Sequence, residues 1–307
     1  MAFPVLVTSR RLSLLPDPGL EAARLLGCSD REKVVMRRFF TFCLIAALLS
    51  IGVATETSAQ SSRFALQPQR PGQADVYVLS FGLWGPQSVF ESEAKGAARI
   101  LETQLGSKGR TIVRSNTKRR FGATPPILLA AAQATGQALD PAEDVVALVL
   151  TSHGAPEGVG IVAGRDAQLM TPDDVKVLLS EAKAQYRIVI VSACYSGVFA
   201  NALADPRTLV ITAAAADKPS FGCRDGATWT YFGDAFFNKA LRKEPRLDAA
   251  FETARRLVTQ RERREGFDPS NPQIAGGSEV LAHLKAQSAP ERQVCRQPRA
   301  SGQAVAC

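Results

Sequence analysis

Two short segments carry side chains capable of covalent chemistry. One runs Leu148-Val149-Leu150-Thr151-Ser152-His153-Gly154, the other Ile190-Val191-Ser192-Ala193-Cys194-Tyr195-Ser196-Gly197. Each begins as a Val/Ile/Leu run, which reads as a buried strand, and ends in one reactive residue. A thiol at the start of a helix beside an imidazole is what a cysteine nucleophile near neutral pH requires. Cys194 is therefore the candidate nucleophile and His153 its partner in proton exchange. Gly154 lets a backbone N–H approach a bound carbonyl closely, so the N–H groups of Gly154 and Cys194 are the candidate oxyanion donors. The only other histidine, His283, lies near the end of the chain with no cysteine or carboxylate motif around it. Alone, a strand-end cysteine is more often a packing residue and a lone histidine more often structural; two such strand ends in one chain favour the dyad. No second histidine or Cys-x-x-Cys pair supplies ligands at useful spacing, so neither a metal nor another cofactor is expected.

The elements that must position these residues follow from periodicity. Asp75 to Ser80 is a short apolar run closing on Gly82 and Gly85, and Ala94, Ala97, Ala98, Leu101 and Leu105 then recur at helical spacing within 91–105. The pattern repeats as a strand at 111–113, a helix over 127–135, a strand at 145–150 and a helix after Thr171-Pro172-Asp173-Asp174. A strand at 188–191, a helix from Gly197 and a strand at 208–212 come next. Near-continuous apolar strands alternating with helices indicate an α/β domain built on a mostly parallel sheet, with ligands at the carboxyl ends of the strands. Two further helices fit 232–243 and 246–265. The second carries Arg255, Arg256, Arg261, Arg263 and Arg264, which read as a solvated face.

Composition narrows the class. The 307 residues are 46% hydrophobic and 21% charged, which excludes a wholly disordered or fibrous chain. The formal charge of +8 is spread over several segments, and no run interleaves aromatics with Lys or Arg, so a nucleic-acid partner is not expected. Arg37 and Arg38 precede an uncharged stretch from Phe39 to Thr55, then the small residues Thr57-Ser58-Ala59. That is the layout of a secretory signal over 36–59, with cleavage after Ala59 favoured over Ala54. The stretch falls short of the roughly 20 residues that span a bilayer comfortably. Retention of 39–55 as an anchor is the alternative, and only then is a membrane contact expected. Residues 1–35 precede Met36, which reads as the true start.

Four cysteines follow the signal, too few for a disulfide scaffold, with Cys295 and Cys307 the natural pair. Residues 60–74 read as a linker, 75–285 as the folded domain and 286–307 as a polar tail.

At this point the chain resembles the legumain family of caspase-like cysteine peptidases, which includes the catalytic subunit of the GPI-anchor transamidase. The resemblance covers roughly Asp75 to Asn238. It rests on the strand into Ser152-His153-Gly154-Ala155, the segment from Tyr186 to Gly197, Thr212-Ala213-Ala214, and Ser220-Phe221-Gly222-Cys223 followed by Thr230-Tyr231-Phe232-Gly233-Asp234. It implies a caspase-like three-layer α/β/α sandwich and metal-free cleavage of peptide bonds, with His153 and Cys194 on the catalytic positions and a protein or peptide as substrate. It also implies that Ser220 and Asp234 line the pocket for the residue before the scissile bond. A carboxylate there favours a polar or cationic side chain, although Asp234 also reads as a cap for the helix beginning near Phe232.

Two departures are visible. Where legumains carry an Arg-His pair that helps select asparagine, this chain has Ser88-Val89-Phe90-Glu91-Ser92-Glu93, and where members often have glutamate after the cysteine it has Tyr195. Strict asparaginyl specificity is not expected. The reading is an exported endopeptidase, periplasmic or extracellular if the source is bacterial. Its alternatives are a transamidase of the same fold and a catalytically silent caspase-like binding module.

Overall fold

The computed structural model describes residues 64–288. The leader, the signal, the Cys295–Cys307 pairing and the tail beyond 288 lie outside the described residues.

Six strands form one sheet in the order β2-β1-β3-β7-β8-β9: β1 (Val76–Gly82), β2 (Thr111–Ser115), β3 (Val145–Thr151), β7 (Tyr186–Ser192), β8 (Thr208–Thr212) and β9 (Gln273–Gly276). All neighbours are parallel except β8 and β9. Alternation of side chains along each strand sends them to two cores. Tyr77, Leu79, Leu148, Leu150, Val189 and Val191 face one, with α2 (Pro125–Ala138), α3 (Pro172–Glu181) and α4 (Gly197–Leu203). Val78, Ala147, Val149, Ile188 and Ile190 face the other. There they meet α1 (Ser88–Leu105), a short turn α5 (Tyr231–Gly233) running into a π-helical segment α6 (Asp234–Leu241), α7 (Leu247–Glu265) and α8 (Ser278–Ser288). The architecture is thus the expected three-layer α/β/α sandwich. Near-continuous apolar strands are required because both faces of the sheet are covered.

Local chemistry explains the boundaries that matter for the site. Helix α3 starts on a capping box: Thr171 Oγ1 accepts from the Asp174 N–H, Asp174 accepts from the Thr171 N–H, and Pro172 takes the first turn. Beyond β3 lies a small antiparallel sheet that periodicity does not reveal, of β4 (Gly154–Ala155), β5 (Gly158–Ala163) and β6 (Asp166–Met170). The β5–β6 turn is Gly164-Arg165, with Gly164 in the left-handed region at φ 67°.

The linker reading needs correcting from Phe64 onward. Residues 64–74 form no regular element, but Phe64 is buried in the first core and the Gln67 N–H bonds the Gly109 carbonyl. Arg70 pairs with buried Asp75, which Arg110 also holds at 3.1 Å. These anchors are invisible to a search for apolar period because they are isolated contacts: one buried ring, a backbone hydrogen bond and ion pairs. The expected tail also starts later, since α8 continues to Ser288.

Candidate active site

Strands β3 and β7 pair so that Thr151 stands opposite Ser192, and the Ser152 N–H carries the ladder on to the Ser192 carbonyl at 3.2 Å. His153 and Cys194 each lie two residues past that pair, so the sheet itself brings the two reactive segments together at its carboxyl edge. Their backbones touch: a Cβ on Gly154 would overlap the Cys194 carbonyl. Only glycine fits there, so its backbone lies directly against that of Cys194. Among the described residues the Cys194 N–H makes no hydrogen bond.

The turn after Cys194 is tightly specified. Tyr195 adopts φ 55°, uncommon for a residue with a side chain, and its N–H bonds the Lys218 carbonyl at 2.8 Å. Ser196 Oγ accepts from the Ala214 N–H at 3.1 Å, and Gly197 packs against the Ala215–Ala216 backbone. The Cys194 Sγ accepts from the Ser220 N–H at 3.2 Å, lies 3.7 Å from its Oγ, and donates to its carbonyl at 3.4 Å. Ser220 therefore stands at the Cys194 sulfur itself.

His153 is half-buried between two aromatic edges, Trp84 at 4.8 Å and Phe90 at 5.1 Å between ring centroids. Its Nε2 is 2.5 Å from Gln87 Oε1. The Gln87 amide nitrogen donates to the Cys223 carbonyl at 3.1 Å, which turns Oε1 toward the ring. An acceptor at Nε2 assigns the proton of the neutral ring to that nitrogen and leaves Nδ1 as the basic one. Burial lowers the His153 pKa from its ordinary value, so the ring is neutral at neutral pH.

No hydrogen bond joins His153 to Cys194 among the described residues: Gln87 holds the ring and Ser220 the thiol. Such bonds are commonly long without substrate and shorten when it binds. The second described cysteine, Cys223, is also a free thiol, but burial, the nearby Cys194 and Glu93 push its pKa up to about 12. It is a poor nucleophile.

Asp234 is already engaged. Its carboxylate accepts from Asn238 at 2.8 Å, pairs with Lys239 at 2.7 Å and lies 3.8 Å from Arg261. Burial works to raise its pKa, but Lys239, Asn238 and Arg261 outweigh that and hold it low. The cap of the turn is Thr230, whose Oγ1 accepts from the Gly233 N–H at 2.9 Å, so the capping reading of Asp234 does not hold. No hydrogen bond or ion pair links Asp234 to His153, Cys194 or Ser220 among the described residues.

Two residues escaped the reading of the sequence, Gln87 and Glu93. Glu93 did leave a signal: it is spaced with Ala97 and Ile100 on the inward face of α1, where a charge is out of place. Gln87, the residue before α1, left none. Replacing Gln87 by Leu is expected to slow reaction at Cys194 by about ten- to a hundredfold, because the ring loses the acceptor that orients it. The rate of thiol labelling checks this, and an unchanged rate would show that Trp84 and Phe90 suffice to hold the ring.

No curated protein matches the chain. Among solved structures it is similar to caspase-1 from Spodoptera frugiperda, at 12% identity and a TM-score of 0.46 over 69% of this chain and 89% of that one. It is also similar to pro-sf-caspase-1, at 12% identity and 0.43 over 68% and 92%. The model of the peptidase C13 family matches residues 128–278, starting later and ending later than the resemblance read from the motifs. That span holds both strand ends, Ser220 and Asp234, and over it the chain matches the peptidase C13 family, the legumain family of cysteine peptidases.

Proposed function

We propose that the protein is an exported cysteine endopeptidase acting through Cys194 and His153. The observation that supports this reading is the β3–β7 register: the two strands pair through Thr151 opposite Ser192, and His153 and Cys194 each follow two residues later. In the first half-reaction the Cys194 sulfur bonds to the scissile carbonyl carbon, and the oxyanion rests on the Gly154 and Cys194 N–H groups. The thiol proton passes to His153 Nδ1 and on to the leaving amine as the C–N bond breaks, leaving a thioester. His153 then takes a proton from water, whose oxygen attacks the thioester, and the thiol is restored as the acid product departs. Export rests on the Arg37-Arg38 and Phe39–Thr55 layout.

The test is labelling of the protein with peptidyl acyloxymethyl ketones bearing Asn, Asp, Lys or Arg at the reacting residue, with the adduct mapped by mass spectrometry. At least one probe is expected to label Cys194, and none Cys223. A folded protein labelled by none, or labelled at Cys223, would defeat the assignment. The same spectra read the amino-terminus of the exported protein: a start at Gln60 supports signal cleavage, and an intact Phe39–Thr55 segment counts against it.

A further inference from the structure

Glu93 is 0% exposed, and no cation reaches it among the described residues. An ionisable group buried without a counter-charge is costly, and an apolar residue would fit the surrounding core at lower cost. What Glu93 does have is donors from two of the segments that carry the site, and a link to the third through Thr230. Its Oε1 accepts from Thr151 Oγ1 at 2.8 Å, and its Oε2 from the Thr230 N–H at 2.8 Å. Thr230 Oγ1 in turn lies 3.1 Å from Ser192 Oγ. Thr151 precedes His153 by two residues and Ser192 precedes Cys194 by two, and the pair stand opposite each other in the sheet. Thr230 closes the loop that begins at Ser220, the residue gripping the Cys194 sulfur. The backbone is built around the carboxylate: a Cβ on Gly233 would overlap its Oε2. Burial pushes the pKa of Glu93 up, while the neighbouring Ser192, Thr230 and Thr151 work to lower it.

We propose that Glu93 is a positioning residue that ties the carboxyl ends of β3 and β7 and the Thr230 end of the Ser220 loop into one frame, and so sets the relation of His153 to Cys194. It touches neither reacting group and acts through Thr151, Ser192 and Thr230. The assignment rests on the peptidase reading above and is tested beside it.

Two replacements separate the tie from the charge. Glu93→Gln keeps the shape and can accept from the Thr230 N–H while donating to Thr151 Oγ1; Glu93→Met keeps the length and makes neither bond. The experiment measures labelling of the full-length protein by the acyloxymethyl ketone that labels Cys194 best, resolving the maximal inactivation rate from the probe affinity. Glu93→Met is expected to lower the maximal rate by about ten- to a hundredfold with affinity changed by less than about threefold, and Glu93→Gln to restore the rate to within about threefold of wild type. A folded Glu93→Met protein with the wild-type rate would overturn the proposal. So would a Glu93→Gln protein as slow as Glu93→Met, because the charge and not the tie would then matter. If Glu93→Met does not fold, Thr151→Val removes the β3 bond alone; the same loss of rate at constant affinity is expected, and a wild-type rate overturns the proposal. Wild-type protein that no probe labels would defeat the peptidase reading, whereas a labelled wild type with indifferent variants would defeat only the role of Glu93.

Discussion

Replacing Cys194 by alanine is expected to lower peptide hydrolysis by on the order of 10⁴-fold or more while the protein stays folded. The loss is large because the sulfur forms the covalent bond, and the remaining oxyanion donors can only stabilise attack by water. No other described thiol substitutes for it: Cys223 is held as a neutral thiol by burial, with a pKa of about 12. Folding is spared because Cys194 is only partly buried and, among the described residues, its thiol hydrogen-bonds only Ser220, with no strong hydrogen bond among those contacts. Kinetics on a peptide substrate and a thermal melt check both halves. Activity retained in Cys194→Ala would remove the thiol from the mechanism.

Replacing His153 by alanine is expected to cost about 10²–10⁴-fold, the span of a lost general acid–base. It is also expected to change the pH profile. In the wild type, burial keeps the imidazole neutral to a pH below its ordinary value of 6.5, so the acid limb of kcat/KM is expected below pH 6.5. That limb is expected to vanish in His153→Ala, and a wild-type limb above pH 6.5 would contradict a base held in this environment. The same shift affects stability. Between the ordinary value and the lowered one the unfolded chain binds a proton that the folded chain does not, so this histidine makes the fold less stable as the pH drops through that window.

These expectations draw on features of unequal visibility. The Val/Ile/Leu runs of β3 and β7 are legible because a strand covered on both faces must be apolar throughout. The reactive residues stand out because they follow such runs directly. Helix α3 is legible from Thr171-Pro172-Asp173-Asp174, since capping is a matter of neighbouring residues. The β4–β6 sheet is not, because its strands are short, rich in glycine and, in β6, largely exposed. The pairing of Asp234 with Arg261 is equally hidden, since its two members lie on different helices.

By itself the sequence determined the layered α/β class, the two strand ends and the choice of His153 and Cys194 as candidates, because each depends on residue type and short-range period. Tertiary structure alone decided what holds those residues in place. Gln87 meets His153 across 66 positions of sequence, Glu93 meets Thr151 across 58 and Thr230 across 137. These contacts exist because the sheet order sets β1 beside β3 and β3 beside β7, which brings the start of α1 over both reactive strand ends. Periodicity reports which face of an element is buried; which partner a polar side chain finds there is set by the packing of elements far apart in the chain.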